Sequence, residues 1–253
     1  FMLTEADAPF LWNLALPAIG IVPEGSGSDF SDQPIGTGPF VFEHYIRDGE
    51  IVLRSNPDYF GEVPVLDAVR FKIVPDAVVR ALELRKGTVD IALNVLPADM
   101  VEALRTEPHL NVLNSEGTNA QYLAFNLEDP LFSDVRVRRA IAHAVDRESI
   151  IKYLWRNQAR LSDSILPPEN WAYSSDVSRY AYDPVLAKSL LAEAGYGELS
   201  FTYRTSTDPL GLLVAAVLQQ QFKDLDINME IRSNEFATFF SDVVSGNFQM
   251  YSL

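Results

Sequence analysis

The chain has 253 residues, 47% hydrophobic and 22% charged, which are the proportions of an ordinary globular protein with length for one large domain or two modest ones. Asp and Glu number 35 against 20 Lys and Arg, and the resulting net charge of −15 disfavours nucleic acid and anionic membrane surfaces as partners. With no cysteine, disulfides, thiolate metal sites and cysteine nucleophiles are excluded.

The opening FMLTEADAPF has neither a charged n-region nor an apolar h-region, so no export signal is read there. Residues 11–35 read as loop, punctuated by Pro17, Pro23, Pro34 and the tract EGSGSD. The segment GTGPF (36–40) then leads into strands over 40–46 and 50–55. Asp48-Gly49 between them reads as a hairpin turn in which glycine supplies positive φ. A further strand is expected over 69–74. Asp76 is placed to cap a helix running to Lys86 that Gly87 stops, with Ala77, Ala81, Leu82 and Leu84 toward the core. Next come a strand over 89–93, a helix over 97–105 with Pro97 in its first turn, and strands over 110–113 and 121–126.

Beyond Asn126 the alternation restarts. Helices are predicted over 134–145, 147–156 and 183–194, the last with Asp183 as N-cap, Pro184 at N1 and Gly195 as C′. A strand over 199–204, a helix over 209–222, a strand over 227–231, a helix over 235–244 and a closing apolar strand in FQMYSL complete the pattern. Alternation of this kind argues α/β layers, with a domain boundary near 118–126. The abrupt apolar ends suggest a piece of a longer protein.

Catalytic and cofactor signatures are weak. Three histidines, His44, His109 and His143, lack metal-ligand spacing, and no serine elbow or Walker lysine occurs. Gly36-Thr37-Gly38 falls short of a dinucleotide loop, since Val41 replaces the third glycine and Pro39 removes a donor. Asp224, Asp226, Asn228 and Glu235 have calcium-loop spacing, but Met229 stands where that loop needs glycine. Leu225, Ile227, Met229 and Ile231 alternate as a half-buried strand would. Arg136, Arg139 and His143 share one helix face opposite Val137, Ile141, Ala144 and Val145, and read as a solvated face pairing with Asp134 and Asp146.

Taken together, PIGTGPFVFEHY (34–45), NPDYFGEVPVLDAVRFKIVPDAVVRALELRKGTVDIA (56–92), YLAFNLEDPLFSDVRVRRAIAHAVDRESI (122–150), YDPVLAKSLLAEAGY (182–196), LQQQFKDLDINMEI (218–231) and GNFQMYSL (246–253) resemble the family 5 extracytoplasmic solute-binding proteins of ABC importers. The resemblance implies a two-lobed, periplasmic-binding-protein-like α/β fold (type II, cluster C), present only in part. Residues 1–120 would belong to lobe I and 121–253 to the start of lobe II, with a hinge over 119–126 that includes Gln121 and Phe125. It implies capture of a small peptide or similar solute and delivery to an ABC permease in the membrane, with no cofactor, no metal and no catalysis. The place would be the periplasm or another extracytoplasmic space, with a lipid anchor as one mode of attachment. Tyr122 and Asn126, with Asn119 behind them, are the ligand-binding candidates, because a phenol and a carboxamide suit a peptide backbone. Set against these roles are core packing for Tyr122 and turn capping for Asn126. The alternatives to import are a sensor or chaperone on the same lobes, or a carboxylate-based hydrolase.

Overall fold

The computed structural model describes residues 2–27, 30, 32–93 and 96–253, so Ser28 and Asp29 of the predicted loop tract lie outside the described residues. The chain divides into two compact units, residues 1–110 and 111–253.

In the first unit, a short helix α1 (Phe10–Leu14) precedes an antiparallel sheet of order β1 (Phe40–Ile46), β2 (Glu50–Ser55), β3 (Ala68–Lys72). The hairpin forms at Asp48-Gly49 as expected, but the residue with positive φ is Asp48, at 56°. Gly49 is required for space instead, since a Cβ there would sit 2.9 Å from Ile46 Cγ2. Glu50 at the start of β2 draws in Arg70 from β3 (3.1 Å), and Arg54 holds Glu43 across the hairpin. Helix α2 (Ala77–Lys86) begins where Asp76 accepts a bond from the Val79 amide and stops at Gly87, whose φ is 71°. Ala81 is buried, whereas Leu82 is exposed and faces away from the core that the periodicity assigned it. Helix α3 (Ala98–Leu104) has Pro97 as its N-cap and not in its first turn.

Two predicted strands do not form. Residues 89–93 and 110–113 carry no ladder, and Ile91, Leu93 and Leu113 stand in solvent. Alternation marks which side of a segment is apolar, but a strand also needs a neighbour to bond.

The second unit is built on a four-stranded sheet of order β4-β7-β5-β6: β4 (Leu123–Phe125), β5 (Leu199–Ser206), β6 (Ile227–Asn234) and β7 (Met250–Ser252). β5 runs parallel to both β6 and β7, while β4 joins antiparallel to β7 through Leu123–Ser252, Ala124–Tyr251 and Phe125–Met250. Along β5, Leu199, Phe201, Tyr203 and Thr205 are buried, the period-2 signature of one face packed on a core.

That core is closed by helices whose ends are written in the sequence. Asp129 caps α4 (Pro130–Ser133), Asp134 caps α5 (Val135–Ala144), and Asp183 caps α7 (Pro184–Glu193) by accepting from the Val185 and Leu186 amides. Asp208 caps α8 (Pro209–Lys223). Val137, Ala140, Ile141 and Ala144 of α5 meet Ala187 and Leu191 of α7 and Val214, Ala215, Leu218 and Phe222 of α8 in one cluster centred on Phe132. α9 (Phe236–Val244) lies on the other face, where Arg204 pairs with its Asp242 at 2.7 Å. The helix predicted over 147–156 is shorter: α6 (Arg147–Ser149) opens at once into a π-helical turn, Ile150–Leu154, and ends at Arg156 and Asn157, both with positive φ.

Asp226, in the stretch with calcium-loop spacing, adopts φ 62° and gives its carboxylate to Lys188 at 2.9 Å. Asp146 likewise does not pair with an arginine. It caps α6 through the Ser149 amide and hydroxyl, while Asp134 does pair with Arg136, at 2.6 Å.

Candidate functional site

In an open α/β sheet, ligands collect at the carboxyl ends of the parallel strands, where helix N-termini and loops converge. In the second unit that edge is formed by Ser206 of β5, Asn234 of β6 and Ser252 of β7. The antiparallel β4 brings its amino end, Tyr122, to the same place. The Tyr122 amide donates to the Leu253 carbonyl at 3.2 Å, which fixes the tyrosine one step beyond the ladder. Its ring stands edge-on to Tyr251, 6.2 Å between centroids. Burial, and then a hydrogen bond with Tyr122, push the Tyr251 hydroxyl above the ordinary phenol range. Tyr251 in turn touches Phe248 (4.9 Å) and Phe239 (6.1 Å), and Phe236 and Phe240 stack at 5.8 Å, half-exposed on α9.

The loops at this edge are braced. The Thr207 amide donates to the Asn234 carbonyl at 3.0 Å and its hydroxyl to Glu235 at 3.2 Å. Asp208 receives the Gly211 amide at 2.9 Å. Gly211 is needed here because a Cβ would lie 3.0 Å from the buried Thr205 hydroxyl, so α8 starts hard against the sheet end. Aromatic faces, phenol hydroxyls and hydroxyl-bearing loops together can hold an extended, uncharged polar backbone.

The residues expected to form one site are not brought together. Tyr122 and Asn126 flank β4 at opposite ends, about 13 Å apart at the rise of a strand. The Asn126 carboxamide is fully engaged inside the unit: Nδ2 donates to the Gly246 and Phe248 carbonyls (3.1 and 3.0 Å) and Oδ1 accepts from the Glu128 amide (3.0 Å). Asn119 is exposed in the stretch 111–122, which carries neither helix nor strand, and Gln121 is exposed beside it. Phe125 sits within β4 with its ring 5.1 Å from Phe132. Sequence reasoning missed Tyr251 and the strand ends at Ser206 and Asn234. The available signal was the rule about parallel carboxyl ends, which becomes usable only once strand order is known.

The second unit is thus a mixed sheet with helices on both faces and aromatic rings at its carboxyl edge. The whole chain superposes with the ABC transporter-associated periplasmic binding protein DppA of Helicobacter pylori, solved in complex with the peptide STSA. The TM-score is 0.86 at 29% identity, over 100% of this chain and 51% of that one. A dipeptide-binding protein from Pseudoalteromonas sp. SM9913, in complex with Met-Leu, gives 0.85 at 25% identity over 99% and 52%.

In sequence, di/tripeptide-binding protein 1 of Pseudomonas aeruginosa is 34% identical, over 97% of this chain and 49% of its own length. The dipeptide-binding protein of Escherichia coli K12 is 30% identical over 98% and 49%. The middle region of the bacterial extracellular solute-binding proteins, family 5, matches residues 1–253, and the chain belongs to that family. It spans about half the length of these relatives. No helix among the described residues is long and apolar enough to cross a membrane.

Proposed function

We propose that this chain is part of the solute-binding component of an ABC import system, one that captures a small peptide between two lobes and delivers it to a membrane permease. The observation that supports this most is the family match along the whole chain, with relatives named for binding di- and tripeptides. Residues 1–120 contribute to lobe I and 121–253 to lobe II. The pivot lies over residues 119–126, including Gln121, which has no ladder bonds to break, and Phe125 within β4. Tyr122, next to Tyr251, contacts the solute, while Asn126 acts from behind by holding β4 to the turn before β7. The protein performs no reaction on its solute, needs no cofactor and works outside the cytoplasm, with a lipid anchor as its attachment.

Calorimetry on the whole protein with a set of di- and tripeptides tests the reading. Binding of at least one peptide, weakened about tenfold or more in Tyr122→Ala with no loss of thermal stability, is the expected result for a buried aromatic anchor. Absence of any peptide binding, or steady turnover of the peptide, would overturn it.

A further inference from the structure

On a net-acidic chain, the groove between α5, α7 and the loop before α7 has no carboxylate in its lining. It has a volume of about 430 Å³ and is bordered by Arg139 and His143 of α5, Arg179 and Tyr180 of the loop, and Leu186 and Leu190 of α7. The nearby carboxylates are already paired, one of them, Asp163, with the groove's own Arg179. Asp134 pairs with Arg136, Asp163 with Arg179 (3.1 Å) and Arg147 (3.7 Å), and Asp183 accepts the Val185 and Leu186 amides.

Other arginines of this surface are committed: Arg136 to Asp134 and the Glu193 carbonyl, Arg138 to the Phe132 and Ser133 carbonyls, Arg147 to the Ser162 and Tyr180 carbonyls. Arg139, exposed on the same helix, has no hydrogen bond or ion pair among the described residues. His143 is held in place: its Nδ1–H donates to the Ala181 carbonyl at 2.7 Å and its ring meets Tyr180 edge-on at 5.5 Å. With the proton on Nδ1, Nε2 of the neutral ring is an acceptor, and it donates to a ligand only when the ring carries both protons.

A guanidinium with all five donors uncommitted, beside a second guanidinium shared with Asp163 and an imidazole whose Nε2 donates once the ring carries both protons, makes an oxyanion receptor, and Leu186 and Leu190 give it an apolar wall. We propose that this groove is a second ligand site, separate from the strand-end site, that binds a small organic carboxylate with a short apolar body. Arg139 grips the carboxylate in a bidentate pair, His143 in its protonated form donates from Nε2, Arg179 flanks it while still paired with Asp163, and the hydrocarbon part lies on Leu186. The placement neither uses Tyr122 nor depends on peptide being the solute.

The test is calorimetric titration of the 253-residue chain with butyrate, acetate and inorganic phosphate, on the parent and on Arg139→Gln, Arg139→Lys and Leu186→Ala. Butyrate is expected to bind better than acetate and phosphate. Arg139→Gln should weaken it about tenfold or more, because the bidentate charge-assisted pair is lost. Arg139→Lys should recover part of that loss, and Leu186→Ala should reduce the preference for butyrate over acetate. Arg139 is on the surface, so unchanged thermal unfolding of Arg139→Gln accompanies the expected result. Undetectable binding of butyrate to the parent, equal binding by Arg139→Gln, or tighter binding of phosphate than butyrate would each overturn the assignment. None of these outcomes bears on peptide capture by the whole protein.

Discussion

The two units of this chain are made from similar amounts of apolar sequence and use it very differently. In residues 111–253, four strands and the helices around them bury Phe132, Ile141, Leu199, Tyr203, Phe222 and Met250 in a single cluster. In residues 1–110, the fully buried apolar side chains among the described residues are Val52, Ala81 and Leu104, while Val65, Phe60 and Phe71 are largely in solvent. A three-stranded hairpin sheet with three short helices beside it has little volume in which to hide side chains, and a small core barely offsets the entropy of ordering the chain. Within this chain, which spans about half the length of its relatives, the second unit holds the larger apolar core, and the first is held by turns and surface ion pairs, each worth little alone.

The largest expected effect comes from separating the units. Residues 111–253 alone should unfold cooperatively in urea with protected amides in β5, and residues 1–110 alone should show no cooperative transition. A sharp transition in the smaller piece would break the contrast. Next, Phe132→Ala should cost about 3–5 kcal/mol in chemical denaturation, as for other large-to-alanine core changes, whereas Phe71→Ala should stay within about 0.5 kcal/mol of the parent.

Asn126→Ala leaves the Gly246 and Phe248 carbonyls and the Glu128 amide without their partner. It should lower stability by about 1–3 kcal/mol while leaving peptide affinity of the whole protein nearly unchanged. The opposite pattern would move Asn126 into the binding surface.

Tyr203 gives a pH handle on the second unit alone. Burial pushes its phenol above the ordinary range, partly offset by its bond to Ser252. The unfolded chain loses that proton near the usual value of about 10, so the contribution is complete below that pH and disappears as pH rises toward the folded value. Tyr203→Phe should flatten the alkaline fall in unfolding temperature. The smallest effect belongs to the hairpin: Asp48→Gly relieves a left-handed residue but loosens the unfolded chain, and should change stability by no more than about 0.5 kcal/mol.

How much of this could be read in advance depends on how local the cause is. The caps at Asp76 and Asp183 and the stops at Gly87 and Gly195 were legible because a side chain bonding an amide two or three residues on needs nothing from the rest of the fold. The failed strands at 89–93 and 110–113 show the limit, since a ladder partner is a property of the fold. Gly49 was identified correctly as a turn glycine for the wrong reason, because its crowding by Ile46 is visible only in three dimensions. At the site, Tyr122 and Asn126 were grouped by nearness in sequence, yet an extended strand sends residues four apart to opposite ends of itself. Tyr251 could not be paired with Tyr122 until β4 was known to lie against β7.

That last pairing has a bearing on how the molecule is made. Among the described residues β4 finds its ladder in β7, so Phe125 waits for Met250, 125 residues downstream. At ordinary translation speeds that interval is on the order of ten seconds, during which the apolar Leu-Ala-Phe edge has no backbone partner. Closure of so long a loop makes sheet completion a late step in folding. Until then the apolar edge of β4 is the kind of unpaired strand that invites pairing with another chain.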